Sequence, residues 1–424
     1  MTTGPLSGIK VLEFTQIIAG PFCCMLLSDM GADVVKFEPL EGEPWRLTVE
    51  LVPKESRVFA SLNRGKKGVA MDMTSPAAQA VIHRMVKDAD VVVINYRPGV
   101  AEQLHIDYDT LREINPQLIY CENTAYGRVG PLSHRGGYDL VVQAMTGLMA
   151  GEGKMLGDVP TYIYPAVADF ATGIQMSNSI CAALFARERT GKGQRIDSTL
   201  MGTAIALQTM QFMFIDAWDS EVIPPMLQHL HQARLDKQSF LEQVQVHRKY
   251  RPVGPGNIYY RIYQTSDGFI AVGALSQSLR LKVLAATGLK DPRFKPDGSF
   301  VVAPEGWDED GPRLVGQAEH LFMSKTTEEW GEILEKNGVP SGPLHFIEEL
   351  FDHPQTIENG LVVELEHELL GHLRMVGPPF QMSETPLKAQ GPSPVLGGNT
   401  DSVLIHAGLS PEEIDHLRAS GVIL

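Results

Sequence analysis

Asp169 is the one charged residue in the apolar stretch 162–173, and a carboxylate in such surroundings can act as a nucleophile. Apolar residues recur at helical spacing from Ile174, and the basic turn before Gly191 is typical of a helix end. We therefore expect Asp169 at or just before the first turn of a helix, where free N–H groups and the helix dipole favour an ionised carboxylate. The same position also suits an N-cap, the role that capping preferences alone would favour.

Basic residues are concentrated in one short segment of an otherwise acidic chain. Residues 63–67 carry three positive charges, and Lys36, Arg97 and Arg135 fall at strand ends or in the following loops. Such a set would suit a phosphorylated, nucleotide-like ligand. For Lys66 and Lys67 taken singly, a solvated surface position is the simpler interpretation.

Other common site chemistries lack their motifs. The turn after the first predicted strand, residues 15–20, has one glycine rather than G-x-G-x-x-G, and residues 191–195 follow a helix and indicate a turn rather than a phosphate loop. No G-x-S-x-G elbow is present, and His229 and His231 have no third ligand nearby, so we predict no metal site. Tyr138 and Asp139 could supply an acid or base, although Asp139 could equally cap the following helix.

Composition limits the class of protein. The chain has 424 residues, 43% of them hydrophobic, which predicts a globular protein of two domains. With 36 basic and 51 acidic residues its net charge is −15, which argues against nucleic acid or an anionic membrane as partner. The four cysteines lack metal-ligand spacing and suit buried thiols of a reducing compartment. No signal peptide or long apolar segment is apparent, so we expect a cytoplasmic protein.

The first half alternates predicted strands with helices. Strands are expected at 9–14, 34–37, 68–73, 89–95 and 117–121, and helices at 21–30, 75–87 and 98–114. This βαβ alternation predicts an α/β fold with a parallel sheet, helices on both faces, and ligands beyond the carboxyl ends of the strands.

The pattern changes after Asp197. A long Met-rich helix is expected over 200–218 and a polar helical stretch over 222–250. A β-hairpin at 259–263 and 269–273 would start a second domain, and a helix at 411–419 would close the chain. Four apolar residues within 210–214 are interpreted as core or subunit contact: Met210, Phe212, Met213 and Phe214.

Several ordered motifs together resemble one known family. They are residues 8–15, 19–21, 31–38, 95–99, 136–139, Asp169, 190–193 and 396–404. They are similar to the class III CoA-transferases, the group of formyl-CoA transferase and carnitine CoA-transferase that also contains α-methylacyl-CoA racemase. The resemblance implies an interlocked homodimer with a Rossmann-like, CoA-binding large domain built from both chain ends (1–205 and 375–424). A helical linker (206–254) and a smaller α+β domain (255–374) would lie between them.

The resemblance also implies a site. Asp169 would be the catalytic residue, attacking an acyl-CoA to give an aspartyl anhydride and then an aspartyl-CoA thioester. CoA or acyl-CoA would be a substrate, with a free carboxylic acid as acceptor and no tightly bound cofactor. Auxiliary roles would fall to Ile18, Tyr138 and Gly273, and CoA contacts to Ala19, Met71, Asn95, Tyr96, Arg97 and Arg135. Backbone N–H groups near Asp169 and in residues 273–277 are candidate oxyanion donors.

Departures from the family pattern narrow the function. Tyr138 stands where the racemase branch has a histidine base, and a tyrosine is a poor base at neutral pH, so a transferase is favoured over a racemase. Oxalate-handling members have Gln at Ile18 and a run of glycines from Gly273, so an apolar or larger acyl group is expected. Pro39 and Leu104 replace arginines of some members. An acyl-CoA racemase or epimerase, and a non-catalytic CoA-binding subunit of a heteromeric transferase, remain alternatives.

Overall fold

The computed structural model describes residues 4–251, 257–295 and 299–424. These residues form two compact units: the first contains those up to Ser220 together with Pro354–Leu424, and the second spans Glu221–His353. The expected boundary between residues 254 and 255 lies outside the described residues. The domain limits derived from the sequence stay a prediction.

The first unit begins with alternating strands and helices. In chain order its elements are β1 (Lys10–Phe14), α1 (Ala19–Asp29), β2 (Asp33–Glu38), β3 (Glu50–Val52), β4 (Glu55–Ser56), α2 (Arg57–Leu62), β5 (Lys67–Ala70), α3 (Pro76–Val86), β6 (Val91–Ile94), α4 (Val100–Gln103), α5 (Tyr108–Ile114), β7 (Ile119–Thr124), α6 (Asp139–Thr146), α7 (Leu148–Glu152), β8 (Met155–Leu156), β9 (Val159–Pro160), α8 (Val167–Thr190), β10 (Gln194–Thr199), α9 (Leu200–Ala206) and α10 (Asp216–Asp219).

A six-stranded parallel sheet is the centre of this unit. Its strand order is β10-β7-β6-β1-β2-β5. The expected α/β class with a parallel sheet is therefore confirmed. The order reverses between β1 and β6, and in sheets of this type the crevice at such a point, beyond the carboxyl ends of the strands, is where ligands bind.

Both faces of the sheet are buried, as the apolar strands require. Along β1, Val11 packs into a core with Cys23 of α1 and Met176 of α8, whereas Leu12 joins a second core with Ile82 of α3. Successive side chains of a strand point to opposite faces, so one strand contributes to both cores. Helix α8, which carries Asp169, is thus fixed against the sheet by its apolar side.

The sixth strand, β10, was not expected from the sequence, which indicated only a turn and the loss of the alternating pattern after Asp197. It pairs with β7 alone and is an edge strand. All its residues except Ile196 are polar, and Arg195 pairs with Glu122 of β7. An edge strand needs no continuous apolar run, which is why the usual hydrophobic signal is missing.

Two long helices expected from the sequence are each interrupted. The segment 98–114 forms α4 and α5, separated by His105 with φ +54° and by Asp107, whose side chain caps α5. The segment 200–218 forms only α9 and the short α10. Apolar periodicity alone does not reveal such breaks because side-chain caps compete locally with helix continuation.

The second unit has its own helices and a small sheet. Its elements are α11 (Ile223–Leu235), α12 (Phe240–Tyr250), β11 (Tyr260–Gln264), β12 (Phe269–Gly273), α13 (Gln277–Thr287), α14 (Trp307–Phe322), α15 (Thr327–Lys336), β13 (Ser341–Pro343) and a 3-10 helix (Ile347–Phe351). The expected hairpin is confirmed as the antiparallel pair β11 and β12, and β13 adds a third strand. Its core contains the stacked rings of Tyr263 and Phe322, with Trp330 in contact with Phe322 at a tilt.

The C-terminal segment returns to the first unit. It forms α16 (Pro354–Glu358), the antiparallel pair β14 (Val362–His367) and β15 (Gly371–Val376), α17 (Thr400–His406) and α18 (Pro411–Ala419), the last as expected. The backbone of Gly68 in β5 exchanges hydrogen bonds with Asn399, and the Ala70 N–H reaches Thr400 Oγ1 at 3.4 Å. Both ends of the chain therefore build this unit. In the described part of the chain no helix combines the length and apolarity needed to cross a membrane.

Candidate active site

Asp169 lies in the first turn of α8, as the sequence predicts, and the helix begins at Val167. Its side chain is 8% exposed. Within the described residues its carboxylate accepts no hydrogen bond and forms no ion pair. It is thus a buried acidic group with no protein partner, an arrangement that favours a functional over a structural role.

The helix-capping function belongs instead to Asp139. Its Oδ1 accepts the backbone N–H of Ala168 at 2.8 Å and that of Asp169 at 3.3 Å. Its Oδ2 accepts from Gln143 Nε2 at 2.6 Å, and the Gln143 amide also holds the backbone of Ile163. Asp139 and Gln143 therefore fasten α6 to the segment that leads into α8, and they leave the Asp169 side chain unengaged.

The expected stabilisation of an ionised Asp169 by the helix end is not what the structure shows. Burial, and then the nearby negative charge of Asp139, raise the pKa of Asp169 from 3.8 to about 7. Asp139 also accepts the N–H groups of Ala168 and Asp169, so these donors do not offset the effect of burial on the pKa. Near neutral pH the Asp169 carboxyl is consequently poised between its two protonation states.

A cleft at the carboxyl ends of β1, β6 and β7 contains Asp169. It brings together eight of the residues singled out in the sequence: Ile18, Ala19, Asn95, Tyr96, Arg97, Arg135, Tyr138 and Asp169. Its volume of about 70 Å³ is far below that of a pocket enclosing a whole ligand. The cleft is thus suited to hold the reacting atoms while the rest of a large substrate lies outside it.

The two guanidinium groups at this cleft are exposed and available for anions. Neither Arg97 nor Arg135 forms an ion pair with any described residue. Gly136 leaves room for the Arg97 side chain, because a Cβ at residue 136 would lie 3.3 Å from Arg97 Nε. Tyr138 precedes α6 and is 54% exposed at the same cleft.

Asn95 lines the cleft, and its side-chain amide also makes structural contacts. Its Oδ1 accepts the Gln16 N–H at 2.9 Å and its Nδ2 donates to the Gln16 carbonyl at 2.8 Å. The amide thereby ties the loop after β6 to the loop after β1. Its expected contact with CoA stays a prediction.

In the basic segment 63–67, Arg64 and Lys66 are not available to an anionic ligand, and neither is Lys36. Lys36 and Lys66 are buried and both pair with Glu13, at 3.2 and 2.9 Å. Arg64 pairs with Asp29 at 2.6 Å, also in the interior. The surface interpretation is therefore wrong for Lys66, and it holds for Lys67, which is exposed beside Asp33.

Two residues expected at the site do not line this cleft. Met71 is fully buried in the core, and its backbone forms an antiparallel bridge with Ile423. Gly273 ends β12 in the second unit. Their contacts with substrate stay predictions.

Asn123 lines the cleft and was not singled out from the sequence. It lies near the carboxyl end of β7, is 5% exposed, and its Oδ1 has no hydrogen-bond partner among the described atoms. Because this buried amide oxygen has no partner and the side chain lines the same cleft as Asp169, Asn123 is a candidate contact for a reacting group. The strand-end rule could have pointed to it, since β7 was expected to end close by.

Comparison with known proteins identifies the family of the chain. The sequence profile of CoA-transferase family III matches residues 6–400. Human succinyl-CoA:glutarate CoA-transferase is 32% identical over 426 residues, covering 99% of this chain and 90% of that protein. Human alpha-methylacyl-CoA racemase is 28% identical over 99% of this chain and 97% of its own length. A crystal structure of a CaiB/BaiF family protein from Brucella suis is similar with a TM-score of 0.74 and 28% identity, covering 95% of this chain and 99% of that one.

These matches extend over nearly the whole chain. The cleft around Asp169 combines a carboxylate that could act as a nucleophile with two guanidinium groups that form no ion pair with any described residue. The protein belongs to CoA-transferase family III and is a CoA-transferase enzyme.

Proposed function

We propose that the protein moves CoA from an acyl-CoA to a free carboxylic acid through covalent intermediates on Asp169. The observation that carries the proposal is the buried Asp169 carboxylate, which has no partner in the described residues and lies in the switch-point cleft. A carboxylate nucleophile divides one difficult exchange into easier acyl transfers.

The proposed steps keep atoms and charges balanced. An Asp169 oxygen attacks the thioester carbonyl, the C–S bond breaks, and an acyl-aspartyl anhydride and a CoA thiolate form. The thiolate attacks the Asp169 carbonyl, which releases the donor acid as a carboxylate and leaves an aspartyl-CoA thioester. The acceptor carboxylate then repeats the sequence in reverse: it displaces the thiolate to form a second anhydride, and the thiolate attacks its acyl carbonyl. The acceptor leaves as its CoA ester and Asp169 regains its charge.

Each addition step places negative charge on a carbonyl oxygen, which hydrogen-bond donors must stabilise. We assign part of this stabilisation to the Nδ2 group of Asn123, the hydrogen-bond donor of a side chain that lines the cleft. The N-terminus of α1, whose first residue is Ala19 and which has no side-chain cap, opens on the same cleft. Residues 273–277 stay a further candidate from the sequence.

Recognition of CoA is assigned to the exposed rim of the cleft. Arg97 and Arg135 can pair with CoA phosphates because no acidic side chain in the described chain occupies them. Backbone and apolar contacts would come from Ile18, Ala19 and Tyr96. CoA acts here as a substrate rather than as a tightly bound cofactor.

We further propose an interlocked homodimer. Residues 210–218 contain large apolar side chains that a monomer leaves in solvent: Met210, Phe212, Met213, Phe214 and Trp218 are all more than half exposed. Exposed apolar stretches of this kind mark interaction surfaces. Light scattering on the purified chain should give twice its 46.6 kDa mass. The four free cysteines support a reducing location such as the cytoplasm, which fractionation would test.

The transferase proposal can be tested directly. Succinyl-CoA, the donor named for the human relative, would be incubated with a panel of mono- and dicarboxylic acids, and the CoA esters formed would be identified by mass. Peptide mass spectrometry after incubation with donor alone should find CoA or a trapped adduct on Asp169. Full transfer activity in Asp169→Ala would refute the mechanism.

A racemase is the second candidate because a racemase is among the relatives. Tyr138 at the cleft disfavours it, since a tyrosine is a poor base at neutral pH. Incubation of a 2-methylacyl-CoA in D₂O without an acceptor acid distinguishes the two. Deuterium at the α-carbon would favour the racemase. No exchange, together with CoA transfer once an acceptor acid is added, would favour the transferase.

A further inference from the structure

The loop that forms one wall of the Asp169 cleft contains an unfavourable backbone conformation. Ile17 has φ +71°, a left-handed conformation that costs a β-branched residue more than most others. Such a conformation persists only where surrounding contacts enforce it. At Ile17 the enforcing contact is a hydrogen bond from its N–H to a buried carboxylate.

The contact is made by Glu43. Its Oε2 accepts the Ile17 N–H at 2.9 Å, and its side chain is 2% exposed. The neighbouring backbone groups are held in the same way: Lys36 donates to the Thr15 carbonyl at 2.8 Å, and Asn95 holds both backbone groups of Gln16. Lys36 Nζ lies 3.4 Å from Glu43 Oε1. Two buried side chains, Lys36 and Glu43, and the half-buried Asn95 thus fix residues 15–17.

This loop leads directly into α1, whose N-terminus faces the cleft. The first turn of α1 also touches the helix of Asp169, because a Cβ on Gly173 of α8 would lie 2.8 Å from the Ala19 carbonyl oxygen. The shape of residues 15–18 therefore decides how Ile18, Ala19 and the first N–H groups of α1 are presented to Asp169.

We infer that Glu43 is a positioning residue of the transfer reaction, which holds Ile17 in its left-handed conformation and thereby shapes the cleft wall opposite Asp169. This inference rests on the proposed function. It concerns a side chain that does not line the cleft and acts through the backbone of Ile17.

Two conservative variants separate positioning from charge balance. Glu43→Gln keeps the length of the side chain and an oxygen that can accept the Ile17 N–H, but it loses the charge beside Lys36. Glu43→Asp keeps the charge but withdraws the oxygen from Ile17. We expect kcat for CoA transfer to fall in the order wild type, Glu43→Gln, Glu43→Asp, with the Asp variant reduced about 100-fold, the size of effect that small misplacements cause. The opposite order of the two variants would overturn the inference.

A second pair of variants tests the link to Ile17. Glycine adopts positive φ without a Cβ penalty, so Ile17→Gly should make the Glu43 contact less necessary. The factor by which Glu43→Asp lowers kcat should be at least about tenfold smaller in the Ile17→Gly background. An equal factor in both backgrounds would show that Glu43 matters only for general folding.

Hydrogen exchange supplies a readout that needs no activity. A peptide covering residues 14–20 should exchange faster in Glu43→Asp than in wild type or Glu43→Gln. The melting temperature of the whole Glu43→Asp protein should stay within the range of the other variants. Unchanged exchange would contradict the inference. If wild-type protein transfers CoA to none of the acids tested, the proposed function fails, whereas the exchange result still decides the role of Glu43.

Discussion

Asp139 accepts the backbone N–H of Asp169 at 3.3 Å and in doing so leaves the Asp169 carboxylate without the local donors that a helix N-terminus normally provides. Two acidic residues therefore divide two roles between them. One caps the helix, and the other stays buried, unpaired and close to its titration point at neutral pH.

The first expected consequence concerns the pH dependence of transfer. Asp169 must be ionised to attack, and its pKa is raised to about 7, so kcat/KM should fall as the pH drops below about 7. In Asp139→Asn the carbonyl oxygen can still cap α8, but the repelling charge is gone. The acidic limb of the profile should then move to lower pH. An unchanged limb would mean that Asp139 does not influence the nucleophile.

The same raised pKa predicts how stability varies with pH. Because the folded-state pKa lies above the unfolded value of 3.8, the folded state carries a penalty that grows as the pH rises from about 4 and is complete above about 7. Asp169→Asn removes it. Without ligand, the variant should be more stable than wild type at pH 8, by on the order of 1–4 kcal/mol, and similar at pH 4. Denaturant titrations at both pH values test this, and a variant less stable than wild type at pH 8 contradicts it.

Helix packing beside the nucleophile can be tested with a matched pair of glycines. A Cβ at Gly173 would lie 2.8 Å from the Ala19 carbonyl oxygen, whereas at Gly151 of α7 it would meet nothing. Gly173→Ala should therefore cost about 1–3 kcal/mol and lower kcat, because α1 and α8 must separate. Gly151→Ala should be neutral or gain up to about 1 kcal/mol from helix propensity. Equal melting temperatures for the two variants would count against this close contact.

The role assigned to Asn123 has a control on the neighbouring strand. Ser198 of β10 stands opposite Asn123 in the sheet register and also has a buried, unpartnered oxygen, but it does not line the cleft. Asn123→Ala should reduce kcat about 100-fold, as loss of an oxyanion donor does, while Ser198→Ala should leave it within about twofold. Comparable losses in both would indicate a structural effect.

Removal of the rim arginines should act on binding rather than on chemistry. Arg97→Ala and Arg135→Ala are expected to raise KM for the acyl-CoA severalfold, and this increase should be smaller at high salt. The KM for the acceptor acid should change little. Arg112→Ala, on the exposed side of α5, is the control. A rise in acceptor KM alone would reassign these residues to the acid.

The sequence was sufficient to predict the parallel sheet and to locate the cleft. Asn95, Arg97 and Asp169 follow a strand or begin a helix, and parallel strands bring such positions to one edge. The ionisation of Asp169 was not predictable, because it depends on Asp139, which approaches only after α6 and α8 have packed. The surface position of Lys66 was predicted wrongly for a similar reason. Its partner Glu13 lies on β1, and no local sequence pattern indicates a buried ion pair between distant segments of the chain.

The segment around Asn399 has an effect beyond its resemblance to a family signature. Its backbone and side chains occupy the outer hydrogen-bonding groups of β5, which would otherwise be a free strand edge, and β10 at the opposite edge carries charged side chains. Free edges invite pairing with other chains. The edge of the sheet at β5 is thus covered by the segment around Asn399, and the edge at β10 has charged side chains that disfavour pairing with another strand. Any self-association of this protein must therefore use its helices and loops rather than extend its sheet.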